Sequence, residues 1–118
     1  MNKKMIGFWN NSNNDYPNFP HPKDLIDLSS NYIIVANYID NVMKRGDSYK
    51  GWSDCRICWQ PNGSSDKYDD KFICPEGYSH YIRVHKVVPD KDFVDHVMNI
   101  WKQNITIVNK NKKTFSKL

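Results

Sequence analysis

No run of apolar residues in this 118-residue chain approaches the roughly 18 to 20 that a membrane-spanning helix requires, so the sequence predicts no membrane protein. No secretory leader is expected either, because two lysines precede only MIGFW, short of the roughly 7 to 15 apolar residues of a signal core. Cysteine is scarce and odd in number, three in all, which argues against a disulfide framework and for metal or redox use in a reducing cytoplasm. That cytoplasm is a host cell's if the chain is virus-encoded. Glutamate occurs once, as Glu76. A basic surface spread over the whole chain is absent too. The net charge is +4, yet residues 1–95 carry 12 Lys and Arg against 13 Asp and Glu, and residues 96–118 carry five lysines and no acid. Any electrostatic footprint for nucleic acid is thereby confined to the end of the chain.

What is present is the material of one ordinary domain, with aromatic residues at 14%, and one domain is the expectation for this length. Residues 7–22, GFWNNSNNDYPNFPHP, mix prolines with Asn, Ser and Asp. They read as turns and extended chain, with Trp9, Tyr16 and Phe19 clamped onto the surface of the domain. The next stretch places Tyr32, Val35, Ala36, Ile39 and Met43 at spacings of three and four, after Ser29 or Ser30 as a cap and before Gly46 as a stop. These are the signals of a helix. SYKGWS then reads as a short strand leading into the first cysteine pair. Residues 57–74 put two apolar runs around a polar middle, the pattern of a hairpin with a loose loop. Pro75 and Glu76 are placed to begin a helix carrying GYSHYIRVHKV, and Pro89 and Asp90 begin another with an apolar stripe of Phe93, Val94, Val97, Ile100, Trp101 and Ile105. The resulting division is an ordered aromatic and proline-rich N-terminal loop over 1–22, an α+β domain over 23–106, and a disordered basic tail over 107–118. The tail lacks apolar periodicity.

The stretch CRICWQPNGSSDKYDDKFICPEGYSHYIRVH opens on a CxxC and closes on an HxxxxH. A CxxC at a turn presents two thiolates to one ion. Histidines five apart on a helix lie about 500° around its axis, near enough to one face to converge with the thiolates. The pattern nominates Cys55, Cys58, His80 and His85 as the ligands of a structural Zn²⁺, and the fold expected is a small α+β domain with a zinc-stapled β-hairpin followed by a helix, a zinc-finger-like ββα core with flanking helices. The gap between the pairs exceeds the roughly 12 residues of a DNA-reading finger. Cys74 is an alternative ligand in place of one histidine, although FICP reads as a buried strand end. His21 and His96 read as non-ligands.

The segment from Tyr49 to Phe93, with DLIDLS upstream, resembles a group of small uncharacterised bacterial and viral proteins. They share a CRxC, an NGS, a WPEG, an HY and a second His before a V..P..F segment, and the likeness covers residues 6–98. It implies a tryptophan in that group where this chain has Cys74, and so implies that Cys74 is not a ligand. No activity comes with the resemblance.

Three functions compete. An enzyme would need an open position on the metal and a neighbouring acid or base. Glu76, four residues before His80, could point toward the metal as in a zinc-dependent hydrolase, or complement the helix dipole. The deaminase pairing of H-x-E with P-C-x-x-C is absent, and two Cys with two His close the coordination shell. Nucleic-acid binding would rest on Arg56, Arg83 and Lys86 near the site, on Lys110, Lys112 and Lys113 in the tail, and on Tyr78, Tyr81, Trp52 and Trp59 as stacking surfaces. The reading least contradicted is an interaction or regulatory module that acts through a protein partner.

Overall fold

The stripe beginning at Phe93 forms the longest helix. In a computed structural model that describes residues 3–10, 18–48 and 53–115, with side chains up to residue 104 except that of Ser48, helix α3 spans Lys91–Phe115. The expected start is observed. The Asp90 carboxylate accepts the Phe93 N–H at 3.2 Å while its carbonyl accepts the Val94 N–H at 2.9 Å, so Asp90 is the N-cap. Phe93 and Val97 are fully buried, whereas Trp101 farther along the stripe is 40% exposed. The backbone of α3 continues through 107–115, the segment assigned above to a disordered tail. No proline or glycine stands there to stop a helix.

The other helices are α1, Ile33–Asn41, and α2, Tyr78–Val84. Val35, Ala36 and Ile39 are buried as the spacing predicts. The cap is different from the expected serine. Ser29 and Ser30 bond back to Asp27, and Asn31 Oδ1 takes the Ile33 N–H at 3.2 Å. The helix also ends sooner than Gly46, because Lys44–Ser48 is drawn into the sheet as β2. Of SYKGWS, residues 49–52 lie outside the described residues.

The sheet has four strands in the order β1-β4-β3-β2, with β1 at Lys4–Met5, β3 at Ser65–Tyr68 and β4 at Phe72–Pro75. β2, β3 and β4 pair antiparallel in sequence order, while β1 lies parallel on the edge of β4 in the register Lys4↔Phe72 and Met5↔Ile73. The N-terminal stretch read as loop therefore supplies an edge strand. Ile6, just after it, is 4% exposed and belongs to the main core. That core joins Val35, Tyr38 and Ile39 of α1, Phe72 and Cys74 of β4, Tyr78 and Ile82 of α2, and Phe93 and Val97 of α3.

One carboxylate ties this core together at the β3–β4 turn. Asp69 Oδ1 accepts the Lys71 and Phe72 N–H groups at 2.9 and 2.8 Å, and Oδ2 receives the Tyr38 hydroxyl at 2.5 Å and lies 2.8 Å from His96 Nε2. Burial alone would raise the Asp69 pKa, but these bonds outweigh it and hold it below the usual carboxylate range. Turn, α1 and α3 are thus pinned to one point. No helix among the described residues is long and apolar enough to cross a membrane.

Candidate metal centre

Cys55 and Cys58 do not sit on the β3–β4 hairpin. They occupy a separate, tighter knuckle between Ser53 and Gly63, closed by an isolated bridge between Asp54 and Pro61. Backbone bonds from Cys55 N–H to Gln60 O and from Trp59 N–H to Cys55 O, each 2.9 Å, draw the turn shut. Trp59 completes the reversal at φ 62, a left-handed conformation rare for a bulky residue. Inside the knuckle the Ile57 N–H points at Cys55 Sγ at 3.4 Å.

The histidines come from α2. His80 lies in the first turn, and His85 is the C-cap with φ −104 and ψ 0. On an ideal helix their directions would differ by about 140°. The departure from helical geometry at His85, followed by the left-handed turn at Lys86 (φ 57), brings the two rings within 5.0 Å, nearly perpendicular. Sulfur and nitrogen ligand atoms of Cys55, Cys58, His80 and His85 all lie within 4.8 Å of one another. Tetrahedral bonds of about 2.3 Å to sulfur and 2.05 Å to nitrogen would put an S···N pair about 3.5 Å apart, and Cys58 Sγ is 3.4 Å from His80 Nε2.

Two further observations fit a cation at this point. His85 Nε2 is buried and has no hydrogen-bond partner among the described residues, an arrangement that costs about 1 to 3 kcal/mol unless something accepts the lone pair or the proton. His80 has its pKa lowered, by burial first and by His85 second, which favours the neutral ligand form. The knuckle also has little core of its own. Cys55, Tyr81 and Val87 are its buried residues, with Trp9, Leu25, Ile57 and Cys58 packed against them.

Tyr81 links knuckle and helix. Its hydroxyl accepts the Arg56 N–H at 2.6 Å, and burial together with the Cys55 sulfur beside it pushes the phenol up to about 12. Nothing in HYIRVH marks this role beyond an aromatic one residue after the candidate ligand His80. Tyr81 is 4% exposed and Tyr78 2%, with the Tyr78 hydroxyl taking the Asp90 N–H at 3.0 Å. Neither has a free face on which a base could stack, which corrects that expectation. Trp59 is 63% exposed, and Trp52 lies outside the described residues.

The remaining candidates are placed as follows. Cys74 is fully buried in the main core with its thiol pKa pushed up by burial, and it is not in the ligand group. Glu76 has neither of the roles weighed for it. Its Oε1 accepts the N–H groups of Ser64 at 2.5 Å and Ser65 at 3.1 Å, and its Oε2 stands 3.5 Å from Arg45 Nε. The acid holds the turn after the knuckle. Gly63 within that turn has φ +92, and a Cβ there would collide with the Glu76 side chain. Arg83 is committed to α1, with Nη2 2.9 Å from Asp40 Oδ2 and 2.6 Å from Asn37 Oδ1. Arg56 is in the knuckle, Lys86 is at the end of α2, and the side chains of Lys110, Lys112 and Lys113 are outside the described set. His21 precedes a 3-10 turn at Pro22–Leu25, and His96 is bonded to Asp69.

No protein-family model matches the chain, and neither a curated protein nor a solved structure shows significant similarity to it.

Proposed function

We propose that the chain is a small module whose fold is closed by a structural zinc ion and which acts by contact with a protein partner. The observation that carries the reading is the convergence of the four ligand atoms within 4.8 Å from two elements far apart in the chain. Zinc is the ion of choice for two thiolates and two imidazoles in tetrahedral array, and with all four positions filled by protein its work is folding rather than catalysis. The resemblance to the CRxC group of bacterial and viral proteins belongs to this proposal.

Contact with a protein is supported by Trp59. A tryptophan 63% exposed and held at φ 62 is an apolar surface fixed in place at a conformational cost, and tryptophan is prominent among interface hot spots. The nucleic-acid alternative loses Arg83 to Asp40 and Asn37. The hydrolase alternative loses Glu76 to the Ser64 and Ser65 amides.

Elemental mass spectrometry on protein purified without added metal is expected to return about one zinc per chain. Absence of stoichiometric metal would overturn the metal half of the proposal. Affinity capture from the native cell compared with the Trp59→Ala variant tests the other half. A partner retained by the parent and lost by the zinc-loaded variant supports it, and equal capture by both refutes it.

A further inference from the structure

Between the N-terminal segment and the knuckle lies a cleft of about 390 Å³, within the range of roughly 300 to 1,000 Å³ for small-ligand sites. Four aromatic residues stand in its walls. Phe8, Trp9 and Phe19 line it from the N-terminal side and Tyr81 from α2. The Phe8 and Phe19 rings are 6.2 Å apart, and Trp9 meets Tyr81 edge to face at 5.3 Å.

One cation enters this lining, Arg56, placed between the two ligand cysteines. The other arginines of the chain are paired, Arg45 with Glu76 and Arg83 with Asp40. Arg56 has no ion pair among the described residues, although Asp54 stands exposed at the same rim. The Trp9 indole N–H, buried in the wall, also lacks an acceptor. An aromatic cleft with an uncommitted guanidinium at its edge is complementary to a flat ring bearing a carboxylate. The ring meets Phe8, Trp9 and Phe19, and the carboxylate takes the two parallel N–H groups of the fork.

We propose that this cleft is a binding site for a small planar aromatic carboxylate, with Arg56 as its anion anchor. The proposal rests on the structural-metal reading in one respect. Arg56 reaches the cleft from a knuckle that the ligand set holds against α2, so the metal would position the anchor without touching the ligand.

The test uses the full chain as purified, with its metal content measured on the same sample. Titration with 2-naphthoate, followed by protein NMR, is expected to give saturable shifts at the Trp9 indole N–H and at Phe8, Arg56 and Tyr81. Neutral 2-naphthamide should bind about tenfold more weakly, and Arg56→Gln should lose about tenfold in naphthoate affinity while keeping the parent's melting temperature. Equal binding of the amide, an unaffected Arg56→Gln variant, or no saturable shift in metal-loaded protein overturns the site. Naphthoate bound through Arg56 by a sample that contains no metal upholds the site and removes the zinc reading alone.

Discussion

Replacing Glu76 by alanine should destabilise the domain without emptying the metal centre. The Glu76 carboxylate, 20% exposed, accepts the Ser64 and Ser65 N–H groups through Oε1. Hydrogen bonds to a charged acceptor are worth about 1.5 to 3 kcal/mol each, and an amide stranded without a partner costs about 1 to 3 kcal/mol. The two bonds share one oxygen and the turn has some access to water, so their joint loss should cost about 2 to 4 kcal/mol. The ion pair to Arg45 adds little, since Arg45 is 59% exposed. At about 4 °C per kcal/mol for a domain of this size, Glu76→Ala should melt about 8 to 16 °C below the parent. Glu76→Gln keeps one carbonyl acceptor and should lose about half as much. Calorimetry gives the melting temperatures, and hydrogen exchange should show the Ser64 and Ser65 amides opening faster in Glu76→Ala. A variant that melts with the parent, or whose two amides stay equally protected, would refute the argument. Loss of zinc from a folded Glu76→Gln protein would return the acid to the metal.

Other outcomes follow from the same geometry. Cys58→Ser should lower the melting temperature by many degrees and reduce bound metal, because a closed site contributes its binding free energy to folding. Cys74→Ala should retain the metal and cost about 1 kcal/mol for a small cavity, and metal lost from it would make Cys74 a ligand. Asp69 has its pKa held down in the folded state, so its contribution is complete above the ordinary value of 3.8 and is lost as the pH falls through the lower folded value. The gap in urea midpoint between parent and Asp69→Asn should therefore narrow between pH 4 and lower pH, and a constant gap would count against the Asp69 network. Any nucleic-acid affinity should fall steeply with salt and vanish on truncation after Gln103, since four of the five lysines in residues 96–118 lie beyond it. Filter binding that survives truncation would move it to Arg56 and Lys86.

The convergence of Cys55, Cys58, His80 and His85 was legible because their spacing is enforced by local geometry, a turn for CxxC and a helix end for HxxxxH. The stripes of α1 and α3 were legible for the same reason, each being a periodicity of neighbours in the chain. What escaped depends on distant partners. Lys44–Ser48 carries the basic residues and glycine of a helix end, yet it pairs with β3, and a strand partner overrides such local signals. Glu76 four residues before a histidine suggests a shared helix face, but Pro75 closes β4 and helix α2 begins only at Tyr78. Nothing local could reveal that Asp69 collects both Tyr38 and His96, since each bond spans about a quarter of the chain.

The parallel edge strand has a consequence for how the chain is made. Lys4 and Met5 leave the ribosome well before their partners Phe72 and Ile73, which follow on the order of 3 to 14 s later at about 5 to 20 residues per second. Through that interval Ile6 and Trp9 are synthesised and have nowhere to dock. The hairpin of β3 and β4 supplies the strand edge, α2 supplies Tyr78 and Tyr81 against Trp9 and α3 the rest of the core, and only then can this segment return to it. Slowing translation between Trp9 and Val97 should lengthen the exposure of those two side chains to chaperones, whereas the same pause placed after Val97 should not.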